Sequence, residues 1–567
     1  MRTAAYFFER ALSGTIIVVG ILFGAFTARA EPATAVSAEE RAAIVKERQL
    51  GLAYSDPWLR LLLYRQHIDG LWVSQVDDDA FFLSPRGRAN PQAELEATLH
   101  AFFAPVVAGA EDAHALCRFA ARRAWVEEQL VPRGSLPRVR CPKLTSFQEK
   151  LDAASVSIVY AANYLSNPAS AFGHTFMRID RRTSNGPGGS GGTGVSYMAK
   201  TDTGNPLLYA FKGLGGLFPA YFTFEPYDAV AARYTEDESR DLWEYKLALE
   251  PSEIRLLVLH LWELSEIRIQ YLYLTENCSY HVLAALEAAS PRFDLLSKLN
   301  VVVLPGDTIR ALTDSPGLVR GVDYHPSLRS RRTSPATADK APDRGHGSMR
   351  VTLGTGATTQ YGTGFATFGY RLAMHDLADP ADGTPELVQL EILDAQVRLD
   401  LARRVLTLDH LTFAEVMSLT PLTSFEKRPS WRAVAFGTRL HDRGCPDCFA
   451  HGIEGGLGLT LATRDGRAAL FAMADAYIAF SAGFDGVGGS FVRIGAGPYG
   501  GLRLRLPGRT LALLTGSVSY LPGQDLSSTY DLRASVRTEL GKNVAVGVQA
   551  AKQPLSMEAF FSSYFYF

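Results

Sequence analysis

Tyr530-Asp531-Leu532-Arg533-Ala534-Ser535-Val536-Arg537 alternates without a break, with Tyr, Leu, Ala and Val on one side and Asp, Arg, Ser and Arg on the other. An extended chain sends successive side chains to opposite faces, so this octet predicts a strand with one apolar and one charged face. The same period of two runs through 366–374, where Thr367, Gly369 and Arg371 take the polar face, and through 395–401, where Gln396, Arg398 and Asp400 do. It returns in Leu502, Leu504 and Leu506 against Arg503 and Arg505. About twelve such segments fill residues 348–567, joined by short turns such as Arg464-Asp465-Gly466, Pro507-Gly508 and Gly541-Lys542-Asn543. A soluble β-sandwich also alternates, with its charged face in water. A membrane barrel needs lipid-compatible side chains outside and a polar network or water inside, which suits this pattern better.

The sequence closes on Phe560-Phe561-Ser562-Ser563-Tyr564-Phe565-Tyr566-Phe567. An aromatic alternating strand ending in Phe resembles the signal by which bacterial outer-membrane barrels are recognised, so the barrel assembly machinery is an expected partner. An even strand number returns both barrel ends to the periplasm, and a preceding domain with them.

Outward from this region, 567 residues allow several domains and a large core. Apolar residues make up 47% and charged residues 20%, with 57 Lys+Arg against 59 Asp+Glu, which argues against wholesale disorder and against a nucleic-acid partner. Residues 1–30 read as a signal peptide: Arg2 and Arg10, an apolar run over 14–26, then Ala28-Arg29-Ala30, with cleavage expected after Ala30. No later segment offers about 18 uninterrupted apolar residues, which leaves a soluble exported protein or a β-barrel.

Residues 42–143 predict a helical domain, with apolar three- and four-residue spacing around Trp58–Tyr64 and over 95–103, and Pro91 near the start of a helix. Residues 144–324 mix strands (156–160, 176–179) with helices (254–267, and one beginning near Cys278). The Gly-rich run 186–191 lacks the Lys-Ser/Thr ending of a phosphate loop and reads as a connection. Residues 325–347, rich in Pro, Ser, Thr and Arg, read as a linker.

Five cysteines in an oxidising compartment suggest two local disulfides, Cys117 with Cys141 and Cys445 with Cys448, and leave Cys278 alone. His441, Cys445, Cys448 and His451 carry zinc-ligand chemistry at a compressed spacing, and a local disulfide is the preferred reading, with no metal. No cofactor is implied.

Two segments carry chemistry. In Asn167-Pro168-Ala169-Ser170-Ala171-Phe172-Gly173-His174-Thr175-Phe176-Met177-Arg178, Gly173 lets the backbone turn before His174 opens a strand. Glu276-Asn277-Cys278-Ser279-Tyr280-His281 stands immediately before a helix, where free N–H groups and the helix dipole stabilise a thiolate, and a nearby imidazole can deprotonate the thiol or pair with its anion. These strings, with Lys212-Gly213, Gly215-Gly216 and 240–245, resemble the Lnb-type periplasmic domain family, over about residues 144–323. That family is similar to circularly permuted papain-like folds, in which His precedes Cys along the chain.

The resemblance implies an α+β papain-like central domain, which with the periodicities above predicts a multidomain chain of a helical N-terminal domain, that domain and a C-terminal antiparallel β-barrel of about twelve strands. It further implies a thiol acyltransferase, which in Lnb moves an acyl chain to the α-amino group of a lipoprotein's N-terminal Cys. Lnb is tied to its membrane by helical segments, whereas this chain offers a barrel. Carried onto this sequence, Cys278 attacks an acyl ester and His174 serves as base and then acid, with membrane lipid or lipoprotein as substrate. Ser196 is a candidate orienting residue, Asn277 a candidate oxyanion donor, and His281 a rival base. Two alternatives stand beside this: a cysteine peptidase or amidase on cell-wall peptides, as in NlpC-type folds, and a non-enzymatic barrel with a periplasmic docking domain.

Overall fold

The computed structural model describes residues 37–162, 173–182, 191–333, 341–380, 382–384, 386–424, 427–484, 491–522 and 528–567. The expected signal peptide, the first six residues of the Asn167 string and most of the Gly-rich connection lie outside these.

The chain begins with helices α1 (Ala38–Leu50) and α2 (Asp56–Leu61), a hairpin of β1 (Tyr64–Gln66) and β2 (Trp72–Ser74), then α3 (Pro91–Phe103), α4 (Ala115–Arg118) and α5 (Ala120–Gln129). Asn90 caps α3 by accepting from the Ala93 N–H, and Pro91 occupies the first turn, where its missing N–H costs nothing. The Cys117–Cys141 disulfide forms. Arg122, fully buried, pairs with Glu94 at 3.0 Å and with Glu263 of the next domain at 3.1 Å. One apolar core runs continuously through both regions.

After α6 (Pro142–Leu151), the central domain is a seven-stranded antiparallel sheet made of β3 (Ala153–Ala161), β4 (His174–Arg181), β5 (Thr193–Ala199), β6 (Phe218–Pro226), β7 (Leu242–Leu247), β8 (Ile269–Tyr271) and β9 (Val319–His325). Their spatial order is β8-β6-β5-β4-β3-β7-β9. Helices α7 (Pro206–Leu214), α8 (Tyr227–Ala232), α9 (Pro251–Leu264), α10 (Cys278–Ala289) and α11 (Pro305–Thr313) accompany it. Ile158, Met177 and Val195 face α9 and α10, while Phe176, Tyr227 and Tyr234 pack together in a separate cluster. Every residue of α10 is buried, which explains its lack of a polar stripe.

The Pro-rich stretch that follows is packed at both of its described ends. Asp241 accepts from the Ser327 N–H and the Ser330 hydroxyl, both at 2.8 Å, at the start of α12 (Leu328–Thr333). Pro342, His346 and Ser348 are buried further on.

Twelve antiparallel strands, from β10 (Arg350–Thr358) through β11 (Thr363–His375), β12 (Val388–Asp400), β13 (Val405–Ser418), β14 (Ser430–Asp442) and β15 (Cys445–Ala462) to β21 (Ser556–Tyr566), close into a barrel. On β15, Ile453, Leu457, Leu459 and Leu461 are exposed, while Glu454 lines the lumen, as a lipid-facing wall around a polar interior requires. Arg350 pairs with Asp394 at 2.7 Å, and Arg371 with Glu391 at 3.1 Å and Asp379 at 2.6 Å. Asp376 and Asp379 belong to the turn after β11, and Arg503 donates to the Leu377 carbonyl at 3.0 Å, so that turn folds into the barrel mouth. A lumenal cavity of about 490 Å³ remains. The Cys445–Cys448 disulfide sits at the opposite rim.

Candidate active site

Cys278 is the first residue of α10 and the one free cysteine. Its helix starts here because Asn277 caps it: the side-chain oxygen accepts from the Ser279 N–H at 3.1 Å, the Tyr280 N–H at 3.3 Å and the Ser279 hydroxyl at 2.9 Å. The Asn277 amide donates to the carbonyls of Tyr273 at 3.0 Å and Val303 at 2.6 Å. Both donors are thus engaged by backbone, and Asn277 builds the site rather than pointing into it.

His174 opens β4. Gly173 before it holds φ at +89°, and a Cβ there would lie 3.0 Å from the Tyr160 ring and 3.2 Å from the Ala161 carbonyl. The end of β3, paired with His174 at Ala161, is held by Arg240, which donates to the carbonyls of Ala162 at 2.6 Å and Ala161 at 3.0 Å. The imidazole lies 6.0 Å, centre to centre, from both Phe176 and Tyr234. Its Nε2 is buried with no hydrogen-bond partner among the described residues.

The fold brings these two residues into one electrostatic neighbourhood: after burial, the His174 ring is the strongest influence on the Cys278 thiol. Burial alone pushes the thiol up. The His174 charge and hydrogen bond, the Thr175 N–H and the Tyr271 hydroxyl together outweigh burial and bring it down to about 7. Tyr271 also accepts from the Cys278 N–H at 3.3 Å, and burial followed by the neighbouring thiolate pushes its own phenol well up. Tyr197, Tyr234 and Tyr273, pushed up chiefly by burial, are raised further by the same thiolate charge.

Ser196 is buried on β5. With Met177 opposite Val195, it falls alongside Phe176, and no hydrogen bond among the described residues joins it to His174. His281, expected to be partly exposed, is buried against Tyr197 at 4.4 Å; burial, with the nearby Arg65 charge, lowers it to about 3, a neutral core histidine. Tyr271 and Thr175 were not singled out in the sequence. Thr175 acts through its backbone, which no side-chain pattern reveals, and Tyr271 is seven residues from Cys278 across a turn. Cys445 and Cys448 are bonded to each other, so neither sulfur is free for a metal. Among the described residues, no group of three or more His, Cys, Asp or Glu side chains is placed to hold a metal ion.

Residues 143–315 match the family model described as the Lnb N-terminal periplasmic domain. The central domain is of the Lnb type. Residues 339–565 and 50–129 match models described as domains of unknown function, DUF7840 and DUF7843. No curated protein matches the chain. Similar solved structures include a KdgM porin in complex with disordered oligogalacturonate, 8% identical, covering 38% of this chain and 99% of that one, with a TM-score of 0.23. An outer membrane channel from Pseudomonas putida is 10% identical, covers 41% of this chain and 99% of that one, and has a TM-score of 0.25.

An Lnb-type periplasmic domain ahead of a closed barrel with an apolar outer wall makes this an outer-membrane protein whose central domain faces the periplasm. Within the Lnb-type domain, the string 240–245 is structural. Arg240 anchors β3, Asp241 binds the segment after β9, and Glu244 pairs with Arg178 at 2.9 Å and His325 at 3.3 Å.

Proposed function

We propose that the Lnb-type domain is a thiol acyltransferase working at the periplasmic side of the outer membrane on lipid or lipoprotein. The observation that carries this reading is the buried, unbridged Cys278 thiol at the N-terminus of α10, lowered to about 7 chiefly by the neighbouring His174. The sulfur attacks the carbonyl carbon of an acyl ester. The tetrahedral oxyanion collapses to a thioester, and the leaving alkoxide takes a proton from His174. An acceptor amine then attacks the thioester, gives its proton to His174, and the Cys278 sulfur leaves.

The Tyr271 hydroxyl stands at the sulfur and accepts from the Cys278 N–H, which leaves its own O–H to meet the developing oxyanion; Asn277, with both donors occupied, holds the helix that carries the thiol. His174 is flanked by the Phe176 and Tyr234 rings, with Ser196 two positions along the neighbouring strand. The alternating terminal strand ending at Phe567 supports the barrel assembly machinery as the partner that inserts the chain.

The test is to incubate the full-length protein with a phospholipid carrying an alkyne-tagged acyl chain. A hydroxylamine-labile adduct on Cys278, lost in Cys278→Ala and suppressed in His174→Ala, is expected. Absence of the adduct, or cleavage of peptidoglycan fragments in its place, would overturn the reading.

A further inference from the structure

The central domain meets the barrel's periplasmic rim and also packs on its outer wall. Leu274, Val302 and Leu304 pack against Leu390, Ile392 and Val416. On β12 and β13 the neighbours Gln389, Glu391 and Glu415 line the lumen, so Leu390, Ile392 and Val416 belong to the outer wall. Leu390 is the third residue of β12, and Val416 the third from the end of β13, both at the rim where that wall meets the inner leaflet. A wall made for lipid is covered here by protein.

One residue from Leu274, Tyr273 touches α7. The Tyr273 N–H donates to the Gly213 carbonyl at 3.2 Å, and its ring lies 5.5 Å from that of Tyr209. A Cβ at Gly213 would fall 2.3 Å from the Tyr273 ring, so the helix is pressed against it. The opposite face of α7 has no cover among the described residues: Phe211 is 68% exposed, and Leu208 and Leu214, at three-residue spacing on either side, are exposed with it. Leu217 just after the helix and Val301, beside the docking residue Val302, extend the same apolar rim. The β1–β2 hairpin adds a second prong: Ile68 and Leu71 are exposed at its tip, and its stem reaches the site through Arg65, which donates to Tyr280 at 2.9 Å.

Exposed leucines and phenylalanine on one helical face, continuous with the lipid-facing wall of a barrel, need an apolar cover. We infer that α7 lies in the inner leaflet of the outer membrane, with Leu208, Phe211 and Leu214 among the acyl chains of phospholipids. The occupant is the leaflet itself, because the helix is joined through Tyr273 and Leu274 to a wall that the leaflet already surrounds. Tyr273 is also tied to the thiol's helix, its carbonyl accepting from the Asn277 amide at 3.0 Å. On the acyl-transfer reading, α7 therefore puts the thiol beside phospholipid esters, and the donor reaches it sideways from the leaflet rather than through the periplasm. Insertion itself does not depend on that reading.

The experiment uses full-length protein in a Cys278→Ala background, so that chemistry at the thiol plays no part. A single cysteine is introduced as Phe211→Cys or, separately, Leu214→Cys, and labelled with the environment-sensitive fluorophore NBD. Each protein is reconstituted into nanodiscs of phosphatidylethanolamine and phosphatidylglycerol, with or without brominated acyl chains, after its barrel is shown to be folded by heat-modifiable mobility. Blue-shifted emission and quenching by the brominated chains are expected at both positions. Val45→Cys, an exposed apolar position on α1, gives water-like emission and no quenching. Water-like emission from both α7 labels overturns the inference. So does a blue shift without bromine quenching, which means cover by protein, or equal quenching at Val45, which means contact not particular to α7.

Discussion

Asn277 and Val303 are joined by a 2.6 Å hydrogen bond from the amide to the carbonyl. The residues flanking Val303 pack on the barrel wall, and the residue following Asn277 carries the free thiol. One side chain therefore links the cap of α10 to the docking surface.

Replacing Asn277 by Asp keeps an acceptor for the capped N–H groups but removes both donors and turns a carboxylate toward two carbonyls. Because the site is buried, we expect Asn277→Asp to cost about 2 kcal/mol or more and Asn277→Ala a similar amount. The melting temperature of the periplasmic region, followed by near-ultraviolet circular dichroism, measures both.

Alkylation of Cys278 by iodoacetamide is expected to rise with pH around a midpoint near 7. His174→Ala removes the strongest group that lowers the thiol and leaves burial opposed only by the Thr175 N–H and the Tyr271 hydroxyl. The midpoint then moves above the usual thiol range of about 8.5, and the rate at neutral pH falls about tenfold or more. A midpoint unmoved in His174→Ala means that the imidazole does not set the thiol's ionisation.

Gly173→Ala places a Cβ against Tyr160 and the Ala161 carbonyl at a positive φ. The strain, of order 1–3 kcal/mol, falls on the residue that positions His174. Slower alkylation at neutral pH is expected even though Cys278 is unchanged. Wild-type rates with wild-type melting would show that the turn is not constrained.

Glu244 gives the central domain a pH-dependent margin. Burial alone raises its carboxyl, but His325, Arg178 and Ser157 bring it down to about 2. The folded value lies below the unfolded one, so this contribution is fully present above the ordinary Glu range and is lost as pH falls toward 2. It amounts to about 3 kcal/mol. Glu244→Gln should lower stability at neutral pH by up to that order and flatten the acid limb of an unfolding titration between pH ~5 and ~2.

In the barrel, Asp379 contacts Arg350, Arg371 and Arg537 together. Asp379→Ala leaves buried guanidinium charge with less compensation and should cost about 3–5 kcal/mol in urea unfolding. Pairing it with Arg371→Met should recover part of the loss. No recovery would show that the two side chains act independently.

The period of two made the barrel readable because lipid outside and charge inside enforce it strand by strand. Its local breaks were not readable: Met374 and Leu393 adopt positive φ at 79° and 49°, and the alternation shifts where the central domain docks. Cys278 and His174 stood out because a free exported thiol before a helix and a Gly-His strand opening are both unusual. Asn277 has two legible uses, and the structure places it in the cap, since its donors meet Tyr273 and Val303 across loops that no spacing rule connects. His281 is more buried than helix position alone suggests because α2, α9 and β5 pack around α10. Docking through Leu274, Val302 and Leu304 leaves no pattern at all in those residues' own neighbourhoods.

Met349, just before β10, exchanges two backbone hydrogen bonds with Phe567, at 3.1 and 3.0 Å, and Asn300 of the central domain donates to the Phe567 carbonyl at 3.3 Å. The barrel's first and final strands thus zip together against the domain that precedes them. A chain stalled before β21 is in place lacks both the zipper and this strut. The periplasmic domain's footing on its membrane is therefore completed by the same stroke that finishes insertion, which makes assembly its own checkpoint.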